Sequence, residues 1–414
     1  MVKKLVAPSL LLAGAVFAQP SSEVQALREE MEVLKEELRK LKLEISMPQI
    51  TTYESYTGLG PAASKALINP KGVSIGGYGE IWFDYNPNRN PRGKTDVFRY
   101  IMYLGYAFND KLKFNSEIEI EHTNKILLEF AFIDYRVNKS LGIRGGQVLI
   151  PIGITNEYHE PPTYFSVRQP YVEKKLFPFT WKENGVGVYG DTEFVEYRAY
   201  VINPMKAEAS SYKDFTEPLD QMNQNGGQAN MQNLGFTGRV DFKLPMGLKI
   251  GTATFISPVE DTNGNKLGTI SLISPHLWLQ YAGFDVRFVG AYANISGADN
   301  ITSVIDDGNP ADGQEVFPEK MQGFYLQVAY NVLRFLDTEQ ELYVFGKVET
   351  VDRYNKVPTG YSKPKGKASK LDVINVGIAY KPHPLVSLKA DYARESYKEG
   401  DNQHVYSSAI TWMF

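Results

Sequence analysis

From Val73 onward apolar and polar residues alternate with a period of two in segments of about ten residues, the spacing that sends successive side chains to opposite faces of a strand. Sixteen such segments can be marked, beginning near Val73, Asp96, Leu112, Ile126, Leu141, Gly185, Glu193, Gln232, Gly247, Gly268, Phe284, Met321, Gln340, Leu371, Val386 and Asn402. In the second, Phe98, Tyr100, Met102, Leu104, Tyr106 and Phe108 share one face and leave Arg99, Ile101 and Tyr103 on the other. In the third, Phe114, Ser116, Ile118 and Ile120 oppose Asn115, Glu117, Glu119 and Glu121. The fourth breaks the pattern, because Glu129 has the opposite parity from Asp134 and Arg136, so a bulge or a displaced boundary is expected there. The last segment carries Tyr406, Ser408, Ile410, Trp412 and Phe414 on one face and ends the chain on that aromatic.

The connections alternate in length. Short ones fall at 109–111, 138–140, 190–192, 245–246, 282–283, 336–338 and 381–384, and most of the intervening ones are longer: 87–95, 151–184, 203–231, 257–267, 296–320 and 353–370. A soluble sandwich has no reason to sort its loops by parity, whereas an outer-membrane barrel has short periplasmic turns and long external loops. The expected fold class is therefore an all-β transmembrane barrel of 16 antiparallel strands over residues 73–414, with both ends of the barrel on the periplasmic side. An apolar row running to a C-terminal Phe is also the kind of ending read by barrel-assembly machinery.

Ahead of the strands the period changes to that of a helix. Val24, Leu27, Met31, Leu34, Leu38, Leu41 and Ile45 recur at alternating spacings of three and four, the a and d positions of heptads. Glu23, Glu30 and Glu37 then occupy g, and Arg28, Lys35 and Lys42 occupy e, so a parallel partner meets opposite charges. Residues 19–46 are expected to form a periplasmic coiled coil whose seam is those seven apolar residues. Two and three strands both remain open, and a lone amphipathic helix is the alternative. A homotrimer suits a porin. Residues 47–72, with Pro48, Gly58, Gly60, Pro61 and Pro70, read as a linker or a plug at the barrel mouth.

Lys3 and Lys4, an apolar run from Leu5 to Phe17 and the small-residue site ending at Ala18 make residues 1–18 a secretory signal peptide. The run is shorter than the roughly 20 residues a membrane-spanning helix needs. The chain has no Cys, which excludes disulfides, thiolate chemistry and a lipidated cysteine. Without Lys3 and Lys4, 42 basic residues face 48 acidic ones, a formal −6 that argues against nucleic acid as a partner. The 26 Tyr and 22 Phe beside a mildly polar mean hydropathy suit lipid-facing aromatics alternating with a polar lumen.

The connection 151–184 is the third external loop, and its Pro and aromatic residues favour a packed segment. Its charges, Glu157, Glu160, Arg168, Glu173, Lys174, Lys175, Lys182 and Glu183, are the candidate pore constriction. Parity supplies candidate lumen charges: Arg99, Arg144, Arg198, Arg239, Lys249, Arg287, Glu117 and Glu119. The stretch Gly145 to Asn156, reading GGQVLIPIGITN, resembles the phosphate-selective porin O and P family. That resemblance implies a sixteen-stranded trimeric channel in the outer membrane, among lipid and lipopolysaccharide, with an anion preference set by inward Arg and Lys. Here Glu80, Asp84, Glu117, Glu119, Glu129, Glu196 and Asp241 dilute any such ladder. The expected function is passive diffusion of small hydrophilic solutes or ions, including anions such as phosphate, through a pore narrowed by the third loop. One alternative is a structural anchor whose coiled coil tethers the envelope, with the cell wall as partner. Another is an outer-membrane hydrolase, but the five His lie in no Gly-x-Ser-x-Gly or His-Glu-x-x-His context. No catalytic residue, metal site or cofactor is expected. Gly76, Gly77 and Gly79 read as close packing beside bulky aromatics inside a strand.

Overall fold

The computed structural model describes residues 22–44, 56, 58–209, 215–306 and 315–414, with side chains in the first of these from 26 to 37. The expected signal peptide at 1–18, Ile45 of the seam and nearly all of 45–57 lie outside the described residues.

The period-two segments are strands. In chain order they are β1 (Gly72–Tyr85), β2 (Gly93–Ala107), β3 (Leu112–Glu121), β4 (Lys125–Asn138), β5 (Leu141–Leu149), β6 (Lys182–Asp191), β7 (Val195–Ile202), β8 (Met205–Lys206), β9 (Gly235–Leu244), β10 (Leu248–Glu260), β11 (Lys266–Tyr281), β12 (Phe284–Ser296), β13 (Lys320–Asn331), β14 (Glu341–Lys356), β15 (Leu371–His383), β16 (Val386–Tyr397) and β17 (Gln403–Met413). β8 is a two-residue strand that runs parallel to β10, beyond the point where β9 stops pairing with it. The other sixteen form the wall. Each pairs antiparallel with its sequence neighbour, and β1 pairs with both β2 and β17, so the sheet closes and presents no free edge.

Closure is sealed at the chain end. Gly77 N donates to Phe414 O at 3.0 Å and Phe414 N to Gly77 O at 2.9 Å. A Cβ on Gly77 would lie 2.8 Å from the Phe414 ring, and one on Gly79 2.4 Å from the Trp412 ring. Gly77 and Gly79 are therefore seats for the closing aromatics, as their position between bulky residues suggested, whereas Gly76 abuts backbone oxygens and Lys65 instead of a ring.

Outer and inner rows alternate as expected along most of the wall. Tyr100, Met102, Leu104 and Tyr106 of β2 and Tyr406 and Ile410 of β17 are exposed outward, while Arg99, Ile101 and Tyr103 are buried. One expected face is corrected. Between the pairs Glu80–Arg99 and Ile81–Val97, Phe98 is an extra residue; the bulge turns its ring inward against Trp82, at a centroid distance of 6.1 Å. A second bulge falls at Glu129, between the pairs Glu117–Phe130 and Ile118–Leu128. It brings Glu129 and Asp134 to the same, inner side, both buried, and resolves the parity conflict read in that strand.

Among the described residues two helices precede the wall. α1 (Ser22–Glu44) is a separate unit of 23 residues with Leu27, Met31 and Leu34 exposed and an ion pair of 3.0 Å between Lys35 and Glu32. α2 (Pro61–Ile68) belongs to the barrel unit and packs on the inner faces of β1, β2 and β3. Leu59, Ala62, Ala63, Ala66 and Leu67 are all at most 2 % exposed. Inward-facing glycines make the room: a Cβ on Gly105 would sit 2.2 Å from Ala66 Cβ, and one on Gly76 2.9 Å from Ala62 O.

Candidate pore

The segment 150–181 between β5 and β6 does not stand out from the rim but folds into the barrel, and nearly all of it is buried. Its neck is closed by Asn156, whose amide donates to Ile150 O (2.7 Å) and Trp181 O (3.0 Å) while its oxygen accepts from Trp181 N (2.6 Å). Ile152, Ile154, Val172, Leu176, Phe177 and Trp181 then join wall residues such as Tyr200, Phe255 and Tyr325 in one apolar core. Two further short helical pieces lie along it, one at Pro161–Thr163 and α3 at Tyr171–Lys175.

A buried loop without ladder partners must satisfy its carbonyls some other way. Here the wall's cations do so. Arg99 donates to His159 O (2.9 Å), Arg287 to Thr163 O (2.8 Å), Lys389 to Pro161 O (2.7 Å) and Ser166 O (3.1 Å), and Arg239 to Gly153 O. Each of the three arginines also holds a carboxylate on the wall: Arg99 with Glu80, Arg287 with Asp285 and Arg239 with Asp241, all at 2.7 Å. Charges that parity alone assigned to an aqueous lumen are thus already engaged.

The same holds for most of the charges expected at the constriction. Glu157 bridges Arg198 (2.6 Å) and Arg239 (3.4 Å), and burial pushes its carboxyl up against the pull of those two guanidinium groups. Glu173 accepts from Ile154 N, Thr155 N and Tyr325 Oη at 2.6–2.8 Å. Arg168 pairs with Asp84 and Lys175 with Glu217. Lys182 and Glu183 lie on β6 rather than in the loop, bound to Glu129 (2.8 Å) and Asn203 (2.7 Å). Of the candidate lumen charges, Arg144 pairs with Asp134 at 3.0 Å, Lys249 lies 3.6 Å from Glu196, Glu117 holds His159 Nε2 at 3.1 Å, and Glu119 is buried 3 % exposed. Burial drags the His159 imidazole down, but Glu117 outweighs it and the net shift is upward.

Glu160 has a different task. Its two oxygens accept from Ala62 N (3.0 Å) and Ala63 N (2.9 Å), the first amides of α2. At the other end Lys113 of β3 donates to Asn69 O (2.8 Å) and Leu67 O, while in the first turn Asn115 donates to Ala63 O at 2.8 Å. An acid at the N-terminus and a base at the C-terminus both match the helix dipole. Burial pushes the Glu160 carboxyl up to about 7 despite those two backbone donors. Loop and helix thus form one insertion, and the reading of 47–72 as linker or plug left this pairing unseen. The signal available was Pro61 at the first helical turn followed by small residues, facing inward glycines two strands away.

The insertion separates two cavities that share no lining residue. The one at the long-loop rim has a volume of about 990 Å³ and is lined by Glu119, Glu129, Lys174, Lys182, Glu217 and Asp220 among others. The one at the short-turn rim, about 530 Å³, is lined by Lys249, Trp278, Asp285, Arg287, Tyr343 and Lys381 among others. Among the described residues no group of three or more acids and histidines could hold a metal ion.

No family model matches the chain. It is 54 % identical over 381 residues to an uncharacterized protein of Aquifex aeolicus, a match covering 90 % of this chain and 86 % of that protein. Among solved structures it resembles a loop-deletion form of OmpT, an outer-membrane protein of Vibrio cholerae (TM-score 0.54, 11 % identity, 83 % of this chain and 99 % of that one). It also resembles Salmonella typhi OmpF in complex with daunomycin (0.53, 13 %, 83 % and 98 %) and an anion-selective porin from Comamonas acidovorans (0.53, 10 %, 83 % and 100 %). At such identities the likeness establishes the fold, a sixteen-stranded barrel of the porin type, and the phosphate-selective family is not singled out.

Proposed function

We propose that this chain, which belongs to one family with the uncharacterized protein of Aquifex aeolicus, is an outer-membrane porin that passes small hydrophilic solutes by diffusion, without turnover. The observation that carries this reading is a closed wall whose outer row is apolar while its inner row is charged and surrounds two cavities, each large enough for many waters. The long-loop rim faces the cell exterior, among lipopolysaccharide, and both ends of the wall face the periplasm. The loop 150–181 and α2 together narrow the path, so the size limit is set by two inserted segments.

Selectivity follows from the pairing. With Arg99, Arg144, Arg198, Arg239 and Arg287 each beside a carboxylate, little fixed charge is left to favour one sign of ion. We therefore assign the pore weak ionic preference and no phosphate ladder. The heptad spacing of α1 supports a parallel oligomer without choosing between two and three strands, and a homotrimer is the assembly that suits a porin. Envelope tethering by α1 is a compatible second role.

Planar-bilayer recording of the detergent-extracted protein in asymmetric KCl tests the reading. Discrete open steps with a reversal potential near zero, unaltered by added phosphate, are expected. A correctly folded barrel that gives no conductance would overturn the channel and leave the tether.

A further inference from the structure

Lys174 is the exception among the loop's charges. It lines the floor of the long-loop-rim cavity, 5.0 Å from the centroid of Phe179 and 6.0 Å from that of Phe98, and among the described residues its ammonium makes no hydrogen bond or ion pair. Beneath it lies a recess of about 20 Å³ whose walls include Trp82, Phe98, Arg168, Gln169, Lys174 and Phe179. Among the described residues two buried donors on residues that line that recess lack partners: Trp82 Nε1 and Gln169 Nε2, in residues 9 % and 8 % exposed. Arg168 is engaged by Asp84 and lies over the Trp82 ring at 4.1 Å.

Buried N–H groups without acceptors are costly, at about 1–3 kcal/mol each, and three donors sharing one recess create demand for an acceptor. The recess holds one or two water-sized spheres, too little for a tetrahedral oxyanion but enough for a planar acid group. Its rim is aromatic, with Trp82, Phe98 and Phe179 around the opening, which suits an apolar body on the acid. We infer that the floor of this cavity is a docking site for the carboxylate of a small organic acid with an apolar body, held by Lys174, Trp82 and Gln169. The site rests on the porin reading for its role, as the first stop of a solute entering from outside.

The pH response follows from the surroundings of Lys174. Burial lowers its ammonium to about 8, against the pull of Glu217; Arg168 and Lys175 of the same loop and Arg99 of β2 lower it further. Glu80 of β1 faces the recess but is held by Arg99, and Asp84 of the same strand is held by Arg168. Docking is therefore present below about pH 8 and lost above it.

Isothermal titration of the full detergent-extracted chain with sodium benzoate, beside benzyl alcohol and inorganic phosphate, tests the site. Saturable benzoate binding at pH 7 is expected, at least about tenfold tighter than either comparison ligand and absent at pH 9.5. Lys174→Gln should weaken it about tenfold or more, Lys174→Arg should retain most of it, and Trp82→Phe, which keeps one aromatic ring and removes the donor, should weaken it a few fold. No binding at pH 7, equal binding of benzyl alcohol, or benzoate affinity unchanged in both Lys174→Gln and Trp82→Phe would overturn the proposal. Bilayer conductance in KCl without benzoate separates this from the porin reading: a silent barrel that still binds benzoate leaves the site and removes the channel.

Discussion

α1 and α2 are both helices ahead of the first strand, yet Leu27, Met31 and Leu34 of α1 are more than half exposed while Pro61 to Leu67 of α2 are all buried and only its last residue, Ile68, is exposed. α1 has a stripe and α2 has none. A stripe on a helix announces a flat partner, and heptad spacing announces another helix. A helix enclosed all round needs only small residues that fit, and its partners are supplied by the wall: Gly76, Gly105, Lys113, Asn115 and, from the inserted loop, Glu160.

The largest expected effect breaks the comparison on the α1 side. The chain has no Cys, so single cysteines report proximity cleanly. Leu34→Cys lies on the seam, and Val33→Cys does not, although Val33 (60 %) is as exposed as Leu34 (57 %). In a parallel coiled coil the seam positions face each other across the axis, so oxidation should crosslink Leu34→Cys chains at least about tenfold faster than Val33→Cys chains. Equal rates on a non-reducing gel would mean that α1 has no helical partner and that its stripe lies on something else.

A smaller effect is expected on removing α2. Deleting residues 58–69 takes out the body of the helix and lets water reach Lys113 and Glu160, so the wall should persist while single-channel conductance rises about twofold or more. Unchanged conductance would show that the loop 150–181 alone sets the resistance.

The contrast also shows what could be read in advance. Period-two alternation placed all sixteen wall strands, because each wall residue faces either lipid or interior and the two demand different side chains. Even Glu129, which broke the parity, betrayed its bulge. Phe98 did not, because an aromatic is at home on either face, and only the pairing of Glu80 with Arg99 shows that the register slips there. The inserted loop was legible as packed from its prolines and aromatics. Its charges were not, because a Glu that bridges two arginines and a Glu exposed to a channel have the same letter; whether Glu157 meets Arg198 and Arg239 depends on strands 41 and 82 residues away. Lys174 could be distinguished from Lys175 only by the position of Glu217.

The smallest effect concerns how tightly α2 is held. Glu160 sits at the α2 N-terminus with its carboxyl raised from 4.5 to about 7, chiefly by burial. With α2 undocked that burial is relieved and the value falls back toward 4.5, so between about pH 4.5 and 7 the docked form binds more protons. Docking is then strongest below pH 4.5, weakens as pH rises through the window and is weakest above 7, by an amount that reaches about 3 kcal/mol if the whole shift is relieved. His159 is a second titratable group beside it, held by Glu117, which pulls the imidazole above its ordinary value against burial. Glu160→Gln separates the two: it removes the carboxyl titration and keeps one amide oxygen for Ala62 N or Ala63 N. Open-channel conductance of the native chain should climb modestly, less than about twofold, from pH 5 to 8, and Glu160→Gln should flatten that climb. If the variant climbs as the native chain does, His159 and Glu117 govern the insertion, and the acid at the head of α2 serves only to cap it.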